Sequence, residues 1–192
     1  MRERELFLRA DAALRDVIDR IHPDQLELPA PAEWVGVPDP TLLDVVAAHA
    51  YDEAWVPDVL AGRTIEEVDD KHGGDLLGGD PFAAYDRLND AATAAANRAL
   101  DPDDIAHLSY GDFPVSVYFQ HIATYRAFQA WSIARLIGLD WHLPTELVDE
   151  LWEQVLPQVD EWRAMGVFPP AVEAPADADR ETQLLAATGY LR

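Results

Sequence analysis

The chain has no cysteine and a single lysine, Lys71. Without cysteine there is no disulfide, no thiolate metal ligand and no cysteine nucleophile. No apolar run approaches the ~18 residues that a membrane-spanning helix needs. The start, Met1-Arg2-Glu3-Arg4-Glu5, alternates in sign and lacks the apolar core of a signal peptide. Basic residues are scarce, 14 against 36 acidic ones, for a formal net charge of −22. A surface this negative excludes nucleic acid and anionic membrane as partners, because phosphate binding needs basic side chains. Walker loops, dinucleotide fingerprints, His-Glu-x-x-His and nucleophile elbows are also missing. The expectation is a soluble, cytoplasmic protein.

What is present is enough for a core: 49% of the 192 residues are apolar, and the length suits one domain, or one domain with a short appendage. Leu6, Leu14, Val17, Ile18 and Ile21 form one stripe of a helix over Arg2 to Ile21. Prolines around Trp34 read as an extended connector from Asp24 to Pro40. Thr41 is a helix N-cap with Asp44 in the first turn, and the helix it starts runs towards Gly62, with Pro57 expected to kink or break it. Thr64 to Lys71 reads as a short acidic helix, and the glycine pairs 73–74 and 78–79 as a mobile loop. Asp80-Pro81 opens a third long helix reaching Leu100. Asp101 to Pro114 reads as a loop, and no strand is expected. Val115 to Ile137 is the longest helix, capped by Gly138. A fifth begins at Pro144-Thr145 and bends at Pro157, and a short helix lies around Thr182 to Ala187. The fold class is all-α. In such bundles, sites form between side chains that project inward from facing helices.

Two polar sets stand out. His49 sits mid-helix, with Asp52 three and Glu53 four residues on, so the three share a helical side. A histidine and a carboxylate at that spacing either hold one metal ion together or form a hydrogen-bonded core pair. On the longest helix, His121, Tyr125, Gln129 and Ser132 form a polar stripe in apolar surroundings. Such a stripe is costly unless it faces a cavity, a ligand or another polar stripe. If the two helices are neighbours, His49 and His121 face each other. His22, His72, His107 and His142 read as surface residues, the acidic residues from Asp140 to Glu161 as a solvated face, and the six tryptophans as core bulk.

Trp34, the run Thr41 to His49, the run Val56 to Thr64 and the segment Ala130 to Gly138 resemble the mycothiol-dependent maleylpyruvate isomerase family, part of the DinB/YfiT-like superfamily of four-helix-bundle metalloenzymes. The run Ala164 to Phe168 and the stretch Leu184 to Gly189 resemble an actinobacterial branch. The resemblance implies a DinB-like four-helix bundle over 1–165, with extra short helices, and a C-terminal extension over 166–192 packed on it. It also implies a divalent metal, usually zinc, held by one histidine on the second helix and a Glu-x-x-x-His pair on a later one. His49 matches the first ligand, whereas the pair falls on Tyr125 and Gln129, which are poor zinc ligands. His121, one turn before Tyr125, together with Glu53, offers a replacement His-His-carboxylate set.

The implied chemistry is activation of a low-molecular-weight thiol such as mycothiol, since zinc lowers a bound thiol's pKa. The thiolate then serves isomerisation or group transfer on a small-molecule substrate. The rival expectation is a non-catalytic protein of the same fold with a degenerate metal site, which binds a small ligand or a partner through the His49/His121 pocket, lined by Tyr125, Gln129, Asp52 and Ser132. A third is a structural dimerisation module. Homodimerisation is expected from the resemblance alone.

Overall fold

A computed structural model describes residues 1–98 and 100–191, and it is mostly helical. The helices are α1 (Arg2–Ile18), α2 (Leu42–Val59), α3 (Ile65–Val68), α4 (Pro81–Ala96), α5 (Val115–Leu136), α6 (Thr145–Gln154), α7 (Val159–Ala164) and α8 (Arg180–Thr188). None among the described residues is long and apolar enough to cross a membrane. The chain divides into two compact units: Met1 with Arg15–Tyr118, and Arg2–Leu14 with the rest from Phe119. Residues 166–191 belong to the second unit and do not form one of their own. Arg192, at the end of the expected extension, lies outside the described residues.

In the first unit, α2 packs against α4. The alanine-rich second half of α4 permits close approach, and Ala92, Ala95 and Ala96 are all buried. Both helices start where cap chemistry places them. Thr41 and Asp44 make a reciprocal capping box for α2, and the Asp80 side chain accepts from the Ala83 N–H ahead of Pro81. Pro57 does not break α2, which continues to Val59. The proline lies in the last turn, so the only helical bond it removes is the one its missing N–H would have made to the Glu53 carbonyl. The connector before α2 is tied to it by Leu42 N–H to Leu28 O (2.8 Å) and Leu43 N–H to Leu26 O (2.9 Å).

The expected 101–114 loop contains a β-hairpin, which corrects the strandless expectation. Strands β1 (Ile105–Leu108) and β2 (Gly111–Pro114) pair antiparallel, with Leu108 opposite Gly111 across a two-residue turn. Four-residue strands are too short to show alternation clearly. Gly111 closes the turn at φ 138°, which a side chain rarely adopts. The third long helix ends at Ala96; of its expected continuation to Leu100, Ala99 lies outside the described residues.

In the second unit, Leu6, Phe7, Ala10 and Leu14 of α1 are buried, as are Phe119, Ala123, Ala127, Ala130, Ile133 and Ala134 of α5. The chain bends at Pro157 through a short 3-10 turn, Leu156–Gln158, between α6 and α7. Arg163 of α7 donates from Nε to the Pro169 carbonyl (3.0 Å) and from Nη2 to the Ala187 carbonyl at the end of α8. Gly189 caps α8 at φ 80°. A Cβ there would lie 2.6 Å from the Pro170 carbonyl oxygen, so only glycine fits.

Candidate functional site

Glu53 is wholly buried on α2, one turn beyond buried His49. Its Oε1 accepts from the Tyr85 hydroxyl (3.2 Å) and from Asn89 Nδ2 (3.4 Å), both on α4. Tyr85 and Asn89 are four residues apart, so they lie on one face of their helix. Asn89 is oriented from its other side, where its Oδ1 accepts from Arg15 Nη1 (3.2 Å). An amide whose oxygen faces a guanidinium must turn its NH2 away, here towards the carboxylate. Arg15 is in turn paired with Asp90 and with Asp86 (3.0 Å). Its guanidinium is held more firmly protonated than usual, first by the Asp90 hydrogen bond, against the opposing effect of burial. A relay thus runs from surface acids through Arg15 and Asn89 to a carboxylate in the core.

Asp52 is half-buried, and its charge acts on Tyr110 at the hairpin turn. The Tyr110 phenol is pushed up to about 12 by loss of solvent around it and then by Asp52. Over half of the residue's surface nevertheless remains exposed, and its ring lies tilted against Phe113 with centroids 5.5 Å apart.

The remaining expected residues belong to α5 in the second unit. His121 is half-buried and meets the Trp162 ring edge-on, with centroids 5.4 Å apart. Burial holds its pKa below the usual histidine value, which favours the neutral imidazole. Trp162 continues the aromatic array by stacking on Phe168, which meets Phe128 edge-on. Tyr125 is half-buried. Gln129 is buried, and among the described residues its Oε1 has no hydrogen-bond partner. The Ser132 hydroxyl donates to the Phe128 carbonyl (2.7 Å), so it is taken up by its own helix.

Among the described residues no group of three His, Cys, Asp or Glu side chains could hold a metal ion. The donor chemistry agrees. Zinc asks for three protein ligands drawn from imidazole, thiolate and carboxylate. The Glu53 bonds to Tyr85 and Asn89 both fall on Oε1, and the expected Glu-x-x-x-His pair is a phenol and a neutral amide. These residues do not fit a zinc centre.

Two further clusters escaped the sequence reading. Asp58, buried at the end of α2, receives Lys71 Nζ (2.6 Å) and His72 Nε2 (2.8 Å), with Arg63 3.4 Å away. Although burial opposes ionisation, these partners hold its carboxyl below the usual range. His72 is therefore not a surface residue: its side chain is only 11% exposed and lies edge-on to Trp55. In the second unit, Arg126 is completely buried and donates to buried Asp11, with its guanidinium 4.9 Å over the Phe7 ring. Tyr85 and Asn89 were legible only as a polar pair at i, i+4 in an alanine-rich helix; nothing local marked Asp11.

No known protein family matches the chain, and no curated protein or solved structure matches it either.

Proposed function

We propose that this chain is a DinB-like four-helix-bundle protein of the maleylpyruvate isomerase type that has given up its metal centre and binds a small ligand on the His49–Glu53 face without catalysis. The observation that carries this reading is the Glu53 cluster. A buried carboxylate is costly unless its oxygens are hydrogen-bonded, and here a tyrosine and an arginine-oriented asparagine supply those bonds in place of a metal. A purely structural core would gain from replacing Glu53 by an apolar side chain, since buried ionic groups seldom add net stability. Retention of His49 and Glu53 side by side supports a ligand-facing role, and a low-molecular-weight thiol such as mycothiol is the ligand class that the resemblance suggests. The thiol-dependent isomerase reading requires a metal to generate the thiolate, and the donor set argues against it.

The test is elemental analysis of the purified protein together with thermal melts in zinc and in mycothiol. The expected result is zinc well below one atom per chain, no shift in Tm with zinc, and a rise with mycothiol that His49→Ala abolishes. A ligand at 100 times its Kd stabilises by about 2.7 kcal/mol, an easily resolved shift. One zinc per chain that disappears in His49→Ala or Glu53→Gln would return the protein to the metalloenzyme class.

A further inference from the structure

We infer that the N-terminal end of α8 is held by a pH-sensitive clasp, which charged His142 closes and rising pH loosens. The clasp is built around Glu181 in the first turn of α8. Its side chain is only 13% exposed, and its two oxygens have separate partners. Oε1 accepts from the Leu143 backbone N–H (2.8 Å), and Oε2 accepts from His142 Nδ1 (2.8 Å). Both partners lie just ahead of α6, so Glu181 ties the start of α8 to the segment that leads into that helix. The imidazole has Asp140 on its other nitrogen, Nε2 to Oδ1 at 4.0 Å, and its charge also acts on Asp179, the N-cap of α8. One titrating cation thus stands among three carboxylates. The neighbouring cation, Arg180, is directed elsewhere: it pairs with Asp149 of α6 and lies 5.4 Å over the Trp152 ring.

The hydrogen bond to Glu181 and then its charge raise the His142 pKa above the usual 6.5, against desolvation and with smaller help from Asp140 and Asp179. Titration therefore falls near neutrality, where ordinary carboxylates and arginines keep their charge. With a raised folded pKa, the contribution is complete below the unfolded value and is lost as pH rises through the folded one. A neutral imidazole can still donate from Nδ1, but Asp140, Asp179 and Glu181 are then left to repel one another with no cation between them.

The two ends of α8 differ in this respect. At the C-terminal end Arg163 donates to the Ala187 carbonyl, and Gly189 closes the helix in a left-handed turn; arginine stays charged throughout this range. At the other end, the stretch 169–178 that leads into α8 holds three prolines and is mostly exposed. The clasp, the Arg180–Asp149 pair and the buried Leu184 and Leu185 hold that end down. Elements with few buried contacts open locally at less cost than the whole fold, so α8 opens from its N-terminal end as the clasp weakens.

The test is hydrogen exchange of the full chain, resolved by residue with NMR at about pH 6 and about pH 8.5 and corrected for the intrinsic rate. The Gln183 amide closes the first turn of α8 on the Asp179 carbonyl (3.0 Å). Protection at Gln183 and Leu184 should fall about two- to fivefold between the two pH values, the range that an exposed charge pair commands. Ala130 and Ile133, buried in α5, should hold theirs. His142→Ala should show the lower protection at both pH values. Glu181→Gln keeps an acceptor for the Leu143 N–H but drops the charge, and it should flatten the pH response; high salt should shrink that response in the wild type. Protection at Gln183 and Leu184 that ignores pH in the wild type would overturn the inference, and so would a pH response that survives in His142→Ala. An equal fall in α5 would do the same, because the whole fold rather than α8 would be responding.

Discussion

Substituting alanine for Asp11 should be among the most damaging single changes available in this chain. The carboxylate is 1% exposed and bonded to Arg126, which is 0% exposed. Removing the acid leaves a guanidinium in the core without that counter-charge, and breaking a buried pair in this way costs about 3–5 kcal/mol. With a urea dependence of about 3 kcal/mol per molar, at the upper end for small domains, the midpoint should fall by roughly 1–1.7 M at unchanged slope. Arg126→Met strands the carboxylate instead and should cost a comparable amount. The double variant is the informative one. Both charges are then gone, and the methionine sulfur can take over the face of Phe7, where the guanidinium now lies 4.9 Å from the ring centroid. Its loss should fall short of the sum of the single losses by about 3 kcal/mol or more. Urea titrations of the four proteins, followed by circular dichroism, complete the cycle. If the single losses add to within about 0.5 kcal/mol, the two charges do not depend on each other and the reasoning fails.

Two more outcomes follow from the tail. The hydrogen bond to Glu181 and its charge raise the His142 pKa above the usual value of 6.5, with smaller help from Asp140 and Asp179 and against slight desolvation. A raised folded pKa means that the pair's contribution is complete below the unfolded value and is lost as pH rises through the folded one. The Tm difference between wild type and His142→Ala should thus be widest near about pH 5.5 and shrink on the alkaline side; a gap that stays constant with pH would refute the linkage. Gly189→Ala combines left-handed strain with a carbonyl 2.6 Å from the new Cβ, whereas Gly36→Ala, at φ 70°, has open space around it. The second should cost about 1 kcal/mol and the first clearly more, as read from urea midpoints; equal costs would mean that the Pro169-Pro170 backbone yields freely.

Legibility in the sequence followed the range of each interaction. Capping is local, so Thr41 with Asp44 and Asp80 with Pro81 mark the starts of α2 and α4. Gly138 ends α5 in the same way, one residue past the bound expected for that helix. Buried stripes at helical spacing are equally visible, as Leu6, Leu14 and Val17 show in α1. The hairpin was hidden because its pairing is made between two runs too short for a pattern. The candidate site was half visible. His49 and Glu53 could be placed on one face of α2 by counting, but the groups that satisfy Glu53 are 32 and 36 positions away. His72 likewise reads as a surface residue, because nothing in the order Lys71-His72-Gly73 reveals a carboxylate fourteen residues back.

Lys71 carries the only side-chain amine in the chain, and that amine is clasped by Asp58 at the foot of the glycine-rich loop. An acylating reagent would therefore mark one side-chain amine alone, and its loss of charge would remove one of the cations that surround Asp58 at the end of α2.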